Sequence, residues 1–249
     1  MQDARRHQDT DEADTLLSAA GRGALSAVQA HLAAGASPNE ATPTGCTALM
    51  RAAHGGHADV CSLLLSCGAD ADAQDDTYRT TALMLACASG HVACAAGLLS
   101  AVHRVDTEGR TALLYAARRG QAQCVRLLCV ASACVDVADE TGLTPLMGAA
   151  QCGHVEVLTL LLEAGASLHV VDAMGATALH AAASGGSLGA TLTLLRWGAS
   201  GSARDLRGET ARDYAEEYAP LKPTAAAASE RQQLLQALET TVGWSSPYA

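Results

Sequence analysis

The sequence contains no phenylalanine, and its 249 residues include only two tryptophans and five tyrosines. Aromatic side chains normally supply the largest single burials in a core. Here apolar residues make up 49% of the chain and aromatics 3%, so the core must be built from Ala, Leu, Val and Cys. Small side chains of this kind suit closely stacked helices. Lysine is also nearly absent, one residue (Lys222) against fifteen arginines, which reads as coding bias. The net charge is −10, and Asp3, Asp9, Asp11, Glu12 and Asp14 crowd the first fourteen residues. An acidic chain is poorly suited to neutralising phosphates, so nucleic acid is excluded as the expected partner. No stretch approaches the ~18 uninterrupted apolar residues of a membrane span, and no apolar leader opens the chain. The expectation is a soluble cytoplasmic protein with no membrane partner, the nucleus remaining open as a second location.

The motifs of catalysis are missing as well. There is no Gly-x-x-x-x-Gly-Lys-Ser/Thr phosphate loop, no Gly-x-Ser-x-Gly elbow and no His-Glu-x-x-His helix. His103-Arg104-Val105-Asp106 looks slightly like a kinase catalytic loop, but the other kinase motifs are absent and the likeness is coincidental. Nine cysteines form no Cys-x-x-Cys pair, and Cys124, Cys129 and Cys134, spaced by five, scatter around a helix. That spacing predicts small buried hydrophobes, all reduced, and neither a disulfide framework nor a zinc site. No carboxylate or cysteine stands at ligand spacing from any of the nine histidines, so the reading is of a non-enzyme without cofactor or metal.

What the chain has is a period. A Gly-x-Thr-x-Leu phrase appears at 45–49, 109–113, 142–146 and 175–179, with an Arg79-Thr80-Thr81-Ala82-Leu83 variant between the first two. Taking the Thr as anchor gives Thr47, Thr81, Thr111, Thr144 and Thr177, with a degenerate Thr210 after them and Asp14 before them. Successive intervals are 33, 34, 30, 33, 33 and 33 residues. A Thr or Asp at the anchor is a good helix N-cap, and Pro145 suits a first helical position. Small pairs follow five and six residues on, from Ala19-Ala20 and Ala52-Ala53 to Ala182-Ala183. These let the first helices of neighbouring units approach closely. Gly23, Gly56, Gly90, Gly120, Gly153 and Gly186 come nine after the anchor and end that helix in a left-handed conformation. A second helix with Leu pairs then runs to Gly35, Gly68, Gly165 or Gly198. One such unit cannot bury its own apolar face, whereas a stack can.

These residues resemble the ankyrin repeat. Its Thr-Pro-Leu-His phrase survives best as Thr177-Ala178-Leu179-His180 and Thr144-Pro145-Leu146-Met147, its Gly-His turn as Gly56-His57, Gly90-His91 and Gly153-His154, and its Gly-Ala-Asp loop as Gly68-Ala69-Asp70. The likeness spans roughly residues 11–240. It implies an all-α solenoid of paired helices with projecting loops, and a structural role for the turn histidines. The domain reading is a disordered N-terminus at 1–10 and repeats near 11–43, 44–77, 78–107, 108–140, 141–173 and 174–206. A capping repeat follows at 207–240 and a tail at 241–249. Three departures stand out. The Thr81–Thr111 interval is three residues short and lacks the loop after Leu99, which puts the projecting finger there in doubt. Gly97 replaces an apolar helix residue. The last repeat carries Arg212 and Asp213 for apolar residues, and its second helix is expected to start at Ser229, with Trp244 beyond it packing on the cap.

The resemblance also implies that partners dock on the concave side, on loop tips just before each anchor and on the exposed ends of the first helices. Carried onto this chain, the strongest candidates are Tyr78, Glu108, Arg110, Leu143 and Met174 at tips and His54, Arg118, Arg119 and Gln151 at helix ends. Arg110, Arg118 and Arg119 are expected to form one cationic patch for a partner with an acidic surface. The implied function is a monomeric protein-binding scaffold or adaptor, the alternative being an assembly chaperone or a substrate-recruiting subunit of a ubiquitin ligase.

Overall fold

The computed structural model describes residues 15–217 and 225–240. Asp14, the tail and its Trp244 lie outside them. The described chain is a succession of helix pairs: α1 (Leu16–Gly21) and α2 (Leu25–Ala33), α3 (Ala48–Gly55) and α4 (Ala58–Ser66), α5 (Ala82–Ser89) and α6 (Val92–Ala96), α7 (Ala112–Arg118) and α8 (Ala122–Val130), α9 (Pro145–Cys152) and α10 (Val155–Glu163), α11 (Ala178–Ser184) and α12 (Leu188–Arg196), α13 (Ala211–Glu217) and α14 (Ala225–Thr240). No strand occurs among the described residues. Isolated bridges such as Ala41 with Thr47 and Val105 with Thr111 close the loops between pairs. First helices pack on first helices and second helices on second helices, giving two parallel rows.

The anchors do what their chemistry requires. The Thr47, Thr81, Thr111 and Thr144 hydroxyls each accept the amide three residues on, at 3.2–3.3 Å. In the first pair that part falls to Thr15, which accepts from the Ser18 amide at 3.2 Å. The alanine pairs, with Ala86-Cys87 in the third repeat, are fully buried, and so are the leucines two residues after each anchor. Gly56 leaves α3 at φ +78°, where its Cβ-free backbone also makes room for the His91 ring of the next repeat.

Two expectations need correction. The three-residue shortage does not remove a finger. It shortens the second helix, since α6 stops after five residues at Gly97 and the chain continues as a 3-10 turn over Leu99–Ala101. The finger at 105–110 is intact, with Thr107 donating to the Tyr78 carbonyl at 2.8 Å. Gly97 is thus a helix end and not an interior residue. Likewise α14 starts at Ala225, four residues before Ser229, because the alanine run is itself the strongest helix former available.

Candidate protein-docking surface

The fingers are tied to one another by one backbone hydrogen bond per step. The carbonyls of Thr44, Tyr78, Glu108, Thr141 and Met174 accept from Asp76, Thr107, Glu140, Ala173 and Leu206 at 2.8–2.9 Å. Each finger is closed internally by a side chain at its base. Asp106, Asp139, Asp172 and Asp205, five residues before their anchors, accept backbone amides of their own turns at 2.8–3.0 Å. Asp75 does the same one position earlier, and the Thr42 hydroxyl serves in the second repeat. These acids carry the geometry of the surface. The signal that marks them in the sequence is their fixed distance from the anchor.

The turn histidines pin the row of first helices. His57 Nε2 is 3.1 Å from the Gly21 carbonyl and His154 Nε2 is 3.2 Å from the Arg118 carbonyl, so each ring ties its repeat to the preceding one. Gln121 reaches the Ala88 carbonyl at 3.4 Å in the same position. His180 is completely buried. Its Nδ1 accepts the Thr177 amide at 3.1 Å, and its Nε2 lies 3.2 Å from the Glu209 carbonyl of the following repeat.

On this frame the candidate residues separate into two groups. Tyr78 and Met174 are 58% and 52% exposed at their tips, and His54, Arg118, Arg119 and Gln151 are exposed at the ends of α3, α7 and α9. Leu143 is half-buried. Arg110 does not join a three-arginine patch. Its guanidinium Nε donates to the Asp106 carboxylate at 2.7 Å, its Nη1 pairs with Glu108 at 2.7 Å, and its plane lies 5.2 Å from the Tyr115 ring centre. Arg110 and Glu108 therefore neutralise one another inside the fourth finger. Burial alone would push the Asp106 carboxyl up. The Tyr115 hydroxyl, the Arg110 guanidinium and the amides of Arg110 and Glu108 outweigh that and leave it below the usual carboxylate range.

At the base of the fourth finger a mostly apolar cleft of ≈ 210 Å³ is lined by Val102, Val105, Leu113, Ala133 and Val137 together with His103, Thr111 and Cys134. The neighbouring turn carries Ser132 at φ +61°, where the turns after other second helices have glycine. Among the described residues no group of three or more His, Cys, Asp or Glu is placed to hold a metal ion. The cysteines are free thiols, but they are not isolated from one another. The Cys61 thiol meets that of Cys94 across the seam between α4 and α6, and Cys87 meets Cys124 one seam further on. Linear spacing could not reveal either pair.

A family model described as ankyrin repeats in three copies matches residues 16–103 and 100–172. Among solved structures, the human ASB11 ankyrin repeat domain is similar over 93% of this chain and 99% of its own, at 28% identity and a TM-score of 0.76. The ankyrin repeat domain of Bcl-3, described as a unique member of the IkappaB protein family, is similar over 92% of this chain and 100% of its own, at 25% identity and a TM-score of 0.72.

Proposed function

Because the chain belongs to the ankyrin repeat family, we propose that it is a non-catalytic adaptor that holds a partner protein on the side formed by the fingers and the ends of the first helices. The observation that carries this reading is the contrast between a rigid frame and what it displays. A continuous backbone ladder fixes the fingers, and the exposed side chains of Tyr78, Met174, Arg118, Arg119 and Gln151 stand along it without a hydrogen bond or ion pair of their own among the described residues. Aromatic, methionine and arginine side chains are the types enriched at interface cores and hot spots. Leu143 and His54 extend the surface, while Glu108 and Arg110 contribute as a mutually neutralised pair.

The chain is read as a monomer in the cytoplasm; no helix among the described residues is long and apolar enough to cross a membrane. A ligase recruiting subunit would need a second docking element outside the repeats, and no observation favours that role or an assembly chaperone over a plain adaptor. The test is affinity capture from the native cell with residue-level cross-linking. Cross-links from a captured partner to residues near Tyr78, Arg119 and Met174 support the reading. Cross-links confined to the second helices, near Arg126 and Glu156, overturn it.

A further inference from the structure

We propose that Arg118 and Arg119 form a receptor for the carboxylates of an acidic protein segment, with Gly148 as the positioning residue that aims Arg118. The inference rests on the adaptor reading and names the chemistry of its partner.

The arginines of the chain are mostly committed. Arg104 pairs with Asp72, Arg110 with Asp106 and Glu108, Arg207 with Asp205 and Glu209, and Arg212 with Glu216 and Glu239. Arg79 and Arg204 bond within their own loops. Arg118 and Arg119 are the exception on the finger side. Both are exposed, adjacent in sequence, and without an ion pair or side-chain hydrogen bond among the described residues. Arg126 and Arg196 are also unengaged, but singly and on the second-helix row.

The neighbouring helix ends supply no neutralising charge. The corresponding helix ends of the flanking repeats carry His54, Ser89, Gln151, Cys152 and Ser184, none of them acidic. The negative end of the α7 dipole offsets part of the repulsion between two cations. It does not provide the paired acceptors that a guanidinium fork accommodates. In a chain of net charge −10, two adjacent open cations at the centre of the array favour a carboxylate-bearing partner.

Arg118 is also held in place. Position four after the anchor is Arg51, Leu85 and Tyr115 in earlier repeats, and in α9 it is Gly148. A Cβ there would stand 2.7 Å from Arg118 Cγ, 3.2 Å from the buried Leu114 Cδ1 and 3.5 Å from Arg118 Cδ. The aliphatic stem of Arg118 therefore lies across the bare backbone of α9. A stem seated this way loses less rotamer freedom on binding than a free one.

The probe is a fluorescein-labelled peptide of repeated Glu-Glu-Leu, its affinity read by anisotropy on the full chain, with Gln-Gln-Leu and phosphoserine-for-Glu versions alongside. The wild-type chain is expected to bind the Glu peptide more tightly than the Gln peptide, with an affinity that falls as salt rises. Arg118→Glu with Arg119→Glu is expected to weaken binding by about tenfold or more, Gly148→Ala by about threefold, and the charge-matched Arg126→Glu by less than about twofold. Equal affinity for the Glu and Gln peptides, or equal loss in Arg126→Glu, overturns the proposal. So does tight binding of the phosphoserine peptide alone, which would assign the pair to phosphate. Circular dichroism of each variant guards against misfolding. If a native partner cross-links to the finger side yet ignores the Arg118 and Arg119 changes, the adaptor reading stands and this inference falls.

Discussion

Tyr115 donates its hydroxyl to the Asp106 carboxylate at 2.7 Å, nine residues back and across the base of the fourth finger. The seventh repeat repeats the arrangement, with Tyr214 donating to Asp205 at 2.9 Å. In both, an arginine lies over the ring and pairs with the same aspartate. The flanking charges are exchanged between the two. Glu108 and Arg110 in one finger stand where Arg207 and Glu209 stand in the other. The repeated element is therefore the Asp–Arg–Tyr cluster and not a fixed order of charges.

The cluster makes Tyr115→Phe a specific probe. A hydrogen bond to a charged, nearly buried acceptor contributes about 1.5–3 kcal/mol, and Asp106 keeps its amide partners when the hydroxyl goes. The expected loss is about 1–2 kcal/mol in urea unfolding, and Asp106→Asn should cost more, because it removes the charge and puts an NH2 donor where Oδ2 accepts from both Tyr115 and Arg110. Equal stability of Tyr115→Phe and wild type would show that the hydroxyl contact carries no net energy.

Acid should loosen the same fingers. The Asp205 carboxyl is lowered to about 2, because the Glu209 amide, the Tyr214 hydroxyl and Arg207 outweigh a burial that acts the other way. Asp106 is lowered for the same kind of reason. An unfolded Asp titrates near ~3.9. A depressed carboxylate stabilises the fold fully above its unfolded value, and that contribution fades as pH falls through the folded one. Stability is thus expected to be flat with respect to these groups above about pH 5 and to decline between about pH 4 and 2. In Asp205→Asn the slope over that window should be shallower. An unchanged slope would remove Asp205 from the account.

Backbone exchange should be fastest in the third repeat. Its α6 has five residues and gives way at Gly97 to a 3-10 turn, whereas α10 runs unbroken over Val155–Glu163. Fewer helical bonds and a smaller packed face mean a lower local opening energy. Amides in 92–106 should exchange about tenfold or more faster than those in 155–162, or about 1.4 kcal/mol of opening energy. Comparable protection in the two segments would contradict this.

The period, the Thr caps, the alanine seams and the turn glycines were legible in the sequence because each depends on residues within one repeat. What was not legible depends on contacts between repeats. The missing three residues of the third repeat could be taken from a loop or from a helix. The choice falls on the helix because Thr107 must reach the Tyr78 carbonyl and Leu98 must stay buried. Arg110 looked like a surface cation because its partners Asp106 and Tyr115 flank it in sequence and converge only once the finger closes on α7. The thiol pairs Cys61–Cys94 and Cys87–Cys124 are 33 and 37 residues apart, and stacking alone brings them together.

Thiol reactivity should fall into three classes. Cys67, Cys134 and Cys152 are exposed, Cys46 and Cys129 half-buried, and Cys61, Cys87, Cys94 and Cys124 buried. Burial pushes the Cys61 and Cys94 thiols up, and the Cys87 thiol is pushed up first by its hydrogen bond with Cys124 and then by burial; Cys124 is lowered by that same bond but has no exposed surface, so the core thiols should react slowly. Titration with a chromogenic disulfide under native conditions should give three fast equivalents, and all nine should react only after denaturation. Fewer than nine after denaturation of freshly prepared, unreduced protein would mean that a seam pair had oxidised.

The strongest stabilising substitution expected from the structure is Thr191→Val. Thr191 is completely buried on α12, between Ala190 and the Leu194 layer, and its hydroxyl has no hydrogen-bond partner. Other helical threonines here bond back to the preceding turn: Thr159 to the Val155 carbonyl at 3.0 Å and Thr193 to the Gly189 carbonyl at 2.8 Å. At the same register, fourteen residues after the anchor, other repeats carry Cys61, Val125 and Leu158, all buried. A buried hydroxyl without a partner costs about 1–3 kcal/mol, and valine has nearly the same shape without that cost. The variant is expected to gain about 1 kcal/mol, or about 2–4 °C in Tm for a chain of this size. Thr193→Val on the solvent side is the matched control, expected within about 0.5 kcal/mol of wild type. A Thr191→Val protein less stable than wild type would mean that the hydroxyl makes a bond worth keeping, with a water or with a neighbour it reaches in solution.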